Sequence, residues 1–95
     1  MSPDPRTNKR VSLQSAEDRW RKLFLEAAAG NEEKYLVFLN ETALHLRGYF
    51  RKRLPQSAND IEDLVQETLL AIHIQRHTYD PCRPLTAWMH AIASY

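Results

Sequence analysis

A single cysteine, Cys82, excludes an internal disulfide, and only two glycines, Gly30 and Gly48, occur among the 95 residues, so a glycine-rich phosphate loop is absent. No apolar run approaches the roughly 20 residues that a membrane-spanning helix needs, and no membrane association is expected. The opening MSPDPRTNKR carries no apolar segment behind its charges. No secretory signal is therefore expected, and the sequence reads as cytoplasmic. No nucleophile elbow and no pair of catalytic carboxylates occurs, which argues against an enzyme. What the chain does have is 43% hydrophobic and 26% charged residues, the balance of a globular protein, in a length that suits one domain with one modest core. The net charge of +1 is uninformative, but its distribution is not. Arg47, Arg51, Lys52 and Arg53 crowd one segment, and Asp60, Glu62, Asp63 and Glu67 follow directly after Pro55.

Residues 1–14 hold Pro3 and Pro5 among polar and basic residues and read as a flexible tail; residues 15–95 form the expected domain. Apolar residues recur at steps of three and four, so the fold class is all-α, a small bundle of three main helices and a shorter fourth. The first helix is expected to start at Ser15, in a reciprocal cap with Asp18, to line its inner face with Trp20, Phe24, Ala27 and Ala28, and to stop at Gly30. Asn31 caps the second, which carries Tyr35, Phe38, Leu39, Leu46, Tyr49 and Phe50 on its period and ends at Pro55. Asn59 or Asp60 caps the third, expected to reach about Arg76. The prolines of TYDPCRP make a loop, and a fourth helix from about Pro84 sets Leu85, Trp88, Met89 and Ile92 on one side.

On the third helix, DIEDLVQETLLAIHIQ, a spacing of about 100° per residue gathers Ile61, Leu64, Val65, Thr68 and Ile72 into a core stripe, packed against Phe38, Leu46 and Trp88. The opposite side gathers Asp63, Gln66, Glu67, Leu70 and Ile74, with His73 and His77 at one margin. Leu70 and Ile74 are apolar residues beyond what the core stripe needs. Either the first or fourth helix covers them, or a partner does. Aliphatics inside a carboxylate rim suit a basic, amphipathic helix.

The string DLVQET, followed at a fixed distance by HTYDP and PLTAWMHAIA, resembles region 2 of bacterial sigma factors, most closely the extracytoplasmic-function type of the sigma-70 family. GNEEKYLVFLNE and LRGYFRKRLP are similar to the first part of that region, and the resemblance runs from about Ala16 to Tyr95. It implies a transcription initiation factor domain. The helix bearing Asp63, Gln66, Glu67 and Leu70 is then expected to dock on a coiled coil of RNA polymerase core, with Ile74 and His73 as neighbours, and an anti-sigma factor is expected to mask the same surface. The segment from Thr78 to about His90 corresponds to the promoter-melting part. It implies contacts from Arg76, Tyr79, Arg83, Trp88 and His90 to the non-template strand at the minus-ten element, by stacking and by positive charge. The basic residues Arg47, Arg51, Lys52 and Arg53 suit a phosphate backbone. For Trp88, core packing beside Leu85, Met89 and Ile92 is the competing role. The family pattern continues beyond Tyr95 with a recognition helix, so the domain reads as incomplete there. Apolar area left open around Met89, Ile92 and Tyr95, and self-association of the fragment, are expected.

Two other readings use the same residues. His73 and His77 stand one turn apart and, with Asp80 and Cys82, outline a zinc site, although no second Cys or His pair completes it. No metal or other cofactor is therefore expected. A helical adaptor that binds a partner helix through Asp63, Glu67 and Leu70, unconnected with transcription, is the functional alternative.

Overall fold

A computed structural model describes the backbone of residues 5–54 and 57–94, and the side chains from Ser15 onward. Four α-helices make up the described residues: α1 (Pro5–Ala28), α2 (Glu32–Arg53), α3 (Ala58–Ile74) and α4 (Leu85–Ala93). A short 3₁₀ turn, Arg76–Thr78, follows α3. No strand occurs among the described residues, and the all-α class holds.

Helix α1 starts ten residues earlier than the Ser15 cap implied, so the expected helix start is corrected to Pro5. Pro5 stands at the first helical position, where its missing N–H costs nothing, and no glycine or proline intervenes before Gly30. Residues 1–4 lie outside the described residues. The helix stops where expected. Gly30 has φ +109°, its N–H donates to Ala27 O at 2.9 Å, and Asn31 N–H donates to Glu26 O at 3.2 Å, the paired bonds of a Schellman turn. Asn31 then accepts from Lys34 N–H and opens α2. Helix α2 ends at Arg53, while Pro55 lies outside the described residues. Ser57, not Asn59 or Asp60, caps α3: its Oγ accepts from Asp60 N–H at 3.3 Å and donates to Asp60 Oδ2 at 2.8 Å. Helix α3 ends at Ile74, two residues short of Arg76.

The core lies where the stripes of the helices meet. Trp20, Leu23 and Phe24 come from α1, Phe38, Leu46 and Phe50 from α2, Ile61, Val65 and Ile72 from α3, and Leu85 and Met89 from α4. Burying each such side chain is worth about 1.5–3 kcal/mol. Thr42 and Thr68 are buried polar residues that need no partner from another helix, because each hydroxyl donates to the carbonyl one turn back, Phe38 O and Leu64 O, both at 2.7 Å. Leu64 is half-buried rather than enclosed. The open apolar area expected around Met89 is also corrected. Helix α4 packs on both α3 and α1, so Met89 is fully enclosed, Ile92 is half-buried against the core, and Tyr95 lies outside the described residues.

Helix α4 has no cap of its own, since Pro84 precedes it and offers no side-chain hydrogen bond. The cap comes from α1: Glu17 Oε1 accepts from Leu85 N–H and Glu17 Oε2 accepts from Thr86 N–H at 2.8 Å. Two further side-chain bridges fix α2 antiparallel to α3. The Tyr35 hydroxyl and His73 Nδ1 share a hydrogen bond of 2.7 Å, and Arg47 grips Glu62 with two bonds of 2.8 and 2.9 Å.

Candidate functional site

The outward face of α3 decides between the two readings of its surplus aliphatics. Leu70 is 60% exposed and Ile74 66% exposed, so neither α1 nor α4 covers them. Asp63, Gln66, Glu67 and His73 are exposed on the same helix. Glu62 is set apart from this acidic group. Its hydrogen bonds from Arg47 hold its carboxyl below the ordinary range, and Gln66 donates to it at 3.5 Å. Asp63 and Glu67 have no ion-pair partner among the described residues, which leaves a carboxylate rim around a Leu–Ile pair. Helix α2 adds apolar surface that the sequence reading passed over: Leu36 and Leu44, two turns apart, are 61% and 68% exposed. The signal was their position outside the Phe38–Leu46 stripe.

The residues expected to meet DNA divide sharply. Tyr79 is buried, its hydroxyl donating to Arg83 O at 2.6 Å and its ring standing edge-on to Phe24 at 5.4 Å. Burial raises its hydroxyl pKa. Its ring packs inward against Phe24 rather than standing open to solvent, unlike the base contact expected of it. Trp88 is half-buried against Phe24 and Tyr79, both at 5.5 Å, and its Nε1 donates to Thr78 Oγ1 at 3.3 Å. One flank of the indole borders a groove between α3 and α4, about 550 Å³ in volume, shared with Thr68, Gln75, Thr78 and Ile92. Arg83 is exposed, with Asp80 at 3.8 Å. Arg76 is half-buried and donates from Nη1 to His73 O at 2.6 Å.

His90 belongs to a column that sequence reasoning missed. Its Nε2 lies 2.9 Å from His45 Nε2 on α2, close enough for a single shared proton. The His45 and His90 rings lie end to end and nearly coplanar, their centroids 5.2 Å apart and their planes at 17°; Tyr49 stacks on His90 at 4.7 Å and 17°, and the Arg53 guanidinium lies over the Tyr49 ring at 3.8 Å. Trp20 meets His45 edge-on at 5.0 Å. Burial lowers both histidine pKa values; His45 is lowered further by the charge of His90, then by Arg53 and Lys52, and His90 by Arg53, with Glu17 opposing. The basic end of α2 is thus partly committed: Arg47 is paired with Glu62 and Arg53 sits on Tyr49, while Arg51 and Lys52 are exposed.

The zinc constellation does not assemble. His73 Nδ1 is engaged by Tyr35, Asp80 Oδ1 accepts from Cys82 N–H at 2.9 Å, and among the described residues no three His, Cys, Asp or Glu side chains converge on one point. Also among the described residues, no helix is long and apolar enough to cross a membrane.

Comparison with known proteins bears on these surfaces. No solved structure matches the chain. Among curated proteins, the ECF RNA polymerase sigma factor SigF of Caulobacter vibrioides is 41% identical over 83 residues, a span of 87% of this chain and 46% of that protein. The chain therefore spans about half the length of the curated relative it matches. The family model described as Sigma-70 region 2 matches residues 39–94, which take in most of α2, the acidic face of α3, the Tyr79–Pro84 loop and α4. With more than half of its residues matched, the chain belongs to the Sigma-70 region 2 family.

Proposed function

We propose that the chain is the domain of a cytoplasmic transcription initiation factor that docks on RNA polymerase core through Asp63, Gln66, Glu67, Leu70 and Ile74, and helps to open the promoter at its minus-ten element. The observation that carries this is the exposure of Leu70 and Ile74 inside a rim of unpaired carboxylates, within the segment the family model matches. The aliphatic pair supplies area that gains by burial, while Asp63 and Glu67 orient a basic helical partner and speed its encounter. An anti-sigma factor that recognises the same pair competes for the same site. For DNA, the accessible groups are Arg83, the exposed flank of Trp88, and Arg51 with Lys52; Arg76 contributes charge from the end of α3. These suit phosphate and single-strand contacts better than base-edge reading.

Titration of purified polymerase core with labelled chain tests the docking face. Leu70→Arg, Asp63→Lys and Glu67→Lys each remove or invert a group that points into solvent, so thermal melting stays within a few degrees of the parent. Leu70→Arg is expected to weaken core binding by about thirtyfold or more, roughly 2 kcal/mol, the scale of a central interface anchor. Parent-like affinity in all three variants overturns the reading and leaves the face as solvated surface.

A further inference from the structure

The start of α4 and the loop before it are held by a helix that lies outside the matched family segment. Glu17, Arg21 and Phe24 follow one another at i, i+4 and i+7 along α1, one stripe on one face. Glu17 accepts from the first two amides of α4, Leu85 N–H and Thr86 N–H. Arg21 Nη2 donates to Pro81 O, and Phe24 stands edge-on to both Tyr79 and Trp88. The loop is closed on itself by the Tyr79 hydroxyl on Arg83 O. The Tyr79–Pro84 segment is therefore tied to α1 at Pro81 and to itself between Tyr79 and Arg83. Helix α4 is only nine residues long and begins behind a proline without a capping side chain. Short helices depend on their caps and on packing more than on propensity, so two charge-assisted bonds to one carboxylate weigh heavily in where this helix starts.

We infer that Glu17 is a positioning residue for single-strand binding: by capping α4 from α1, with Arg21 holding Pro81, it fixes where Arg83 and the exposed flank of Trp88 are presented. The inference rests on the proposed role of this segment in promoter opening. It assigns a function to α1, whose residues precede the matched span at Leu39. Glu17 does not touch the Leu70–Ile74 face, so its loss separates two activities that a general loss of folding lowers together.

Two readouts on the full 95-residue chain test it. Amide hydrogen exchange of the free chain follows Leu85 and Thr86. Fluorescence anisotropy follows a mixed-sequence single-stranded DNA of about 12 nucleotides binding to the chain already complexed with polymerase core. Glu17→Ala is expected to speed exchange at Leu85 and Thr86 about fivefold or more, as loss of a helix cap does. It is expected to weaken single-strand affinity by a similar factor and to leave core affinity within twofold. Adding Pro84→Asp, which gives α4 a cap from its own N-cap position, restores both exchange protection and DNA affinity. Unchanged exchange and unchanged DNA affinity in Glu17→Ala overturn the inference, and so does an equal loss of core and DNA affinity in a variant whose helical circular dichroism is intact. If Glu17→Ala does not fold, Glu17→Gln decides: one amide oxygen replaces two carboxylate oxygens, a partial effect on exchange and DNA supports the inference, and no effect overturns it. A parent chain that fails to bind core defeats the proposed function instead, while the exchange result still reports on the hold of Glu17 over α4.

Discussion

The two glycines show how one substitution takes opposite signs. Gly30 ends α1 with φ +109°, a conformation that side chains rarely adopt, even though a methyl group there meets no atom within 4 Å. Gly48 lies inside α2 in helical conformation, and a methyl group there also meets no atom within 4 Å. Space is equal at the two sites, so backbone conformation decides. Gly30→Ala is expected to destabilise the fold by about 1 kcal/mol or more, whereas Gly48→Ala stabilises it by about 0.5–1 kcal/mol through lower unfolded-state entropy and better helix propensity. Urea unfolding followed by circular dichroism measures both, and a shared sign refutes the conformational account. Gly30 was legible in the sequence because its signal is local, a small-residue run followed by a good capping residue. Tyr79 was not. Its burial depends on Phe24, 55 positions upstream, and no local pattern of aromatics and arginines distinguishes a ring held inward from one offered to a base.

Among elements, α2 and α4 stand in an unusual relation: no Cα of one lies within 8 Å of the other among the described residues, yet their side chains meet in the His45–His90–Tyr49 column. Protonating both imidazoles sets two cations 2.9 Å apart beside Arg53 and Lys52, with Glu17 on α1 as the opposing charge. Both histidines have folded pKa values below the ordinary 6.5, so below that value the unfolded chain binds more protons than the folded one. Stability is therefore fully present above about pH 6.5 and declines as pH falls from there toward the lowered folded values. The carboxyls of Glu41 and Glu62, held low by Arg19 and Arg47, act in a window at and below their ordinary 4.5, below the pH range of the test. Urea midpoints between pH 7.5 and 5.5 are expected to fall for the parent and to fall less for His45→Gln or His90→Gln; a parent curve that is flat or rises refutes the assignment. The column was not legible, since His45 and His90 are 45 positions apart on different helices. The outward face of α3 was legible, because helical period alone separates Leu70 and Ile74 from Ile61, Val65 and Ile72. The start of α1 was misplaced because a plausible Ser15–Asp18 box is not a boundary when nothing upstream breaks the helix.

On the scale of the whole molecule, sequence neighbours pack in turn, α1 on α2, α2 on α3 and α3 on α4, and among the described residues the contact of α4 with α1 closes the ring. Glu17 lies 68 and 69 positions from Leu85 and Thr86, so their meeting carries a large chain-closure entropy. In kinetic terms, α1–α2 and α2–α3 can associate early through short connections, and α4 is expected to join after the transition state has formed. Leu46→Ala, in the centre of α2, is then expected to slow refolding, while Glu17→Ala leaves the refolding rate near that of the parent and accelerates unfolding. Stopped-flow chevrons separate the two limbs, and a slowed refolding limb for Glu17→Ala places ring closure in the nucleus instead. With late closure, the native chain opens first at the α1–α4 seam, so the time α4 stays docked is governed by the rate of that opening, and the loop carrying Arg83 is released with it.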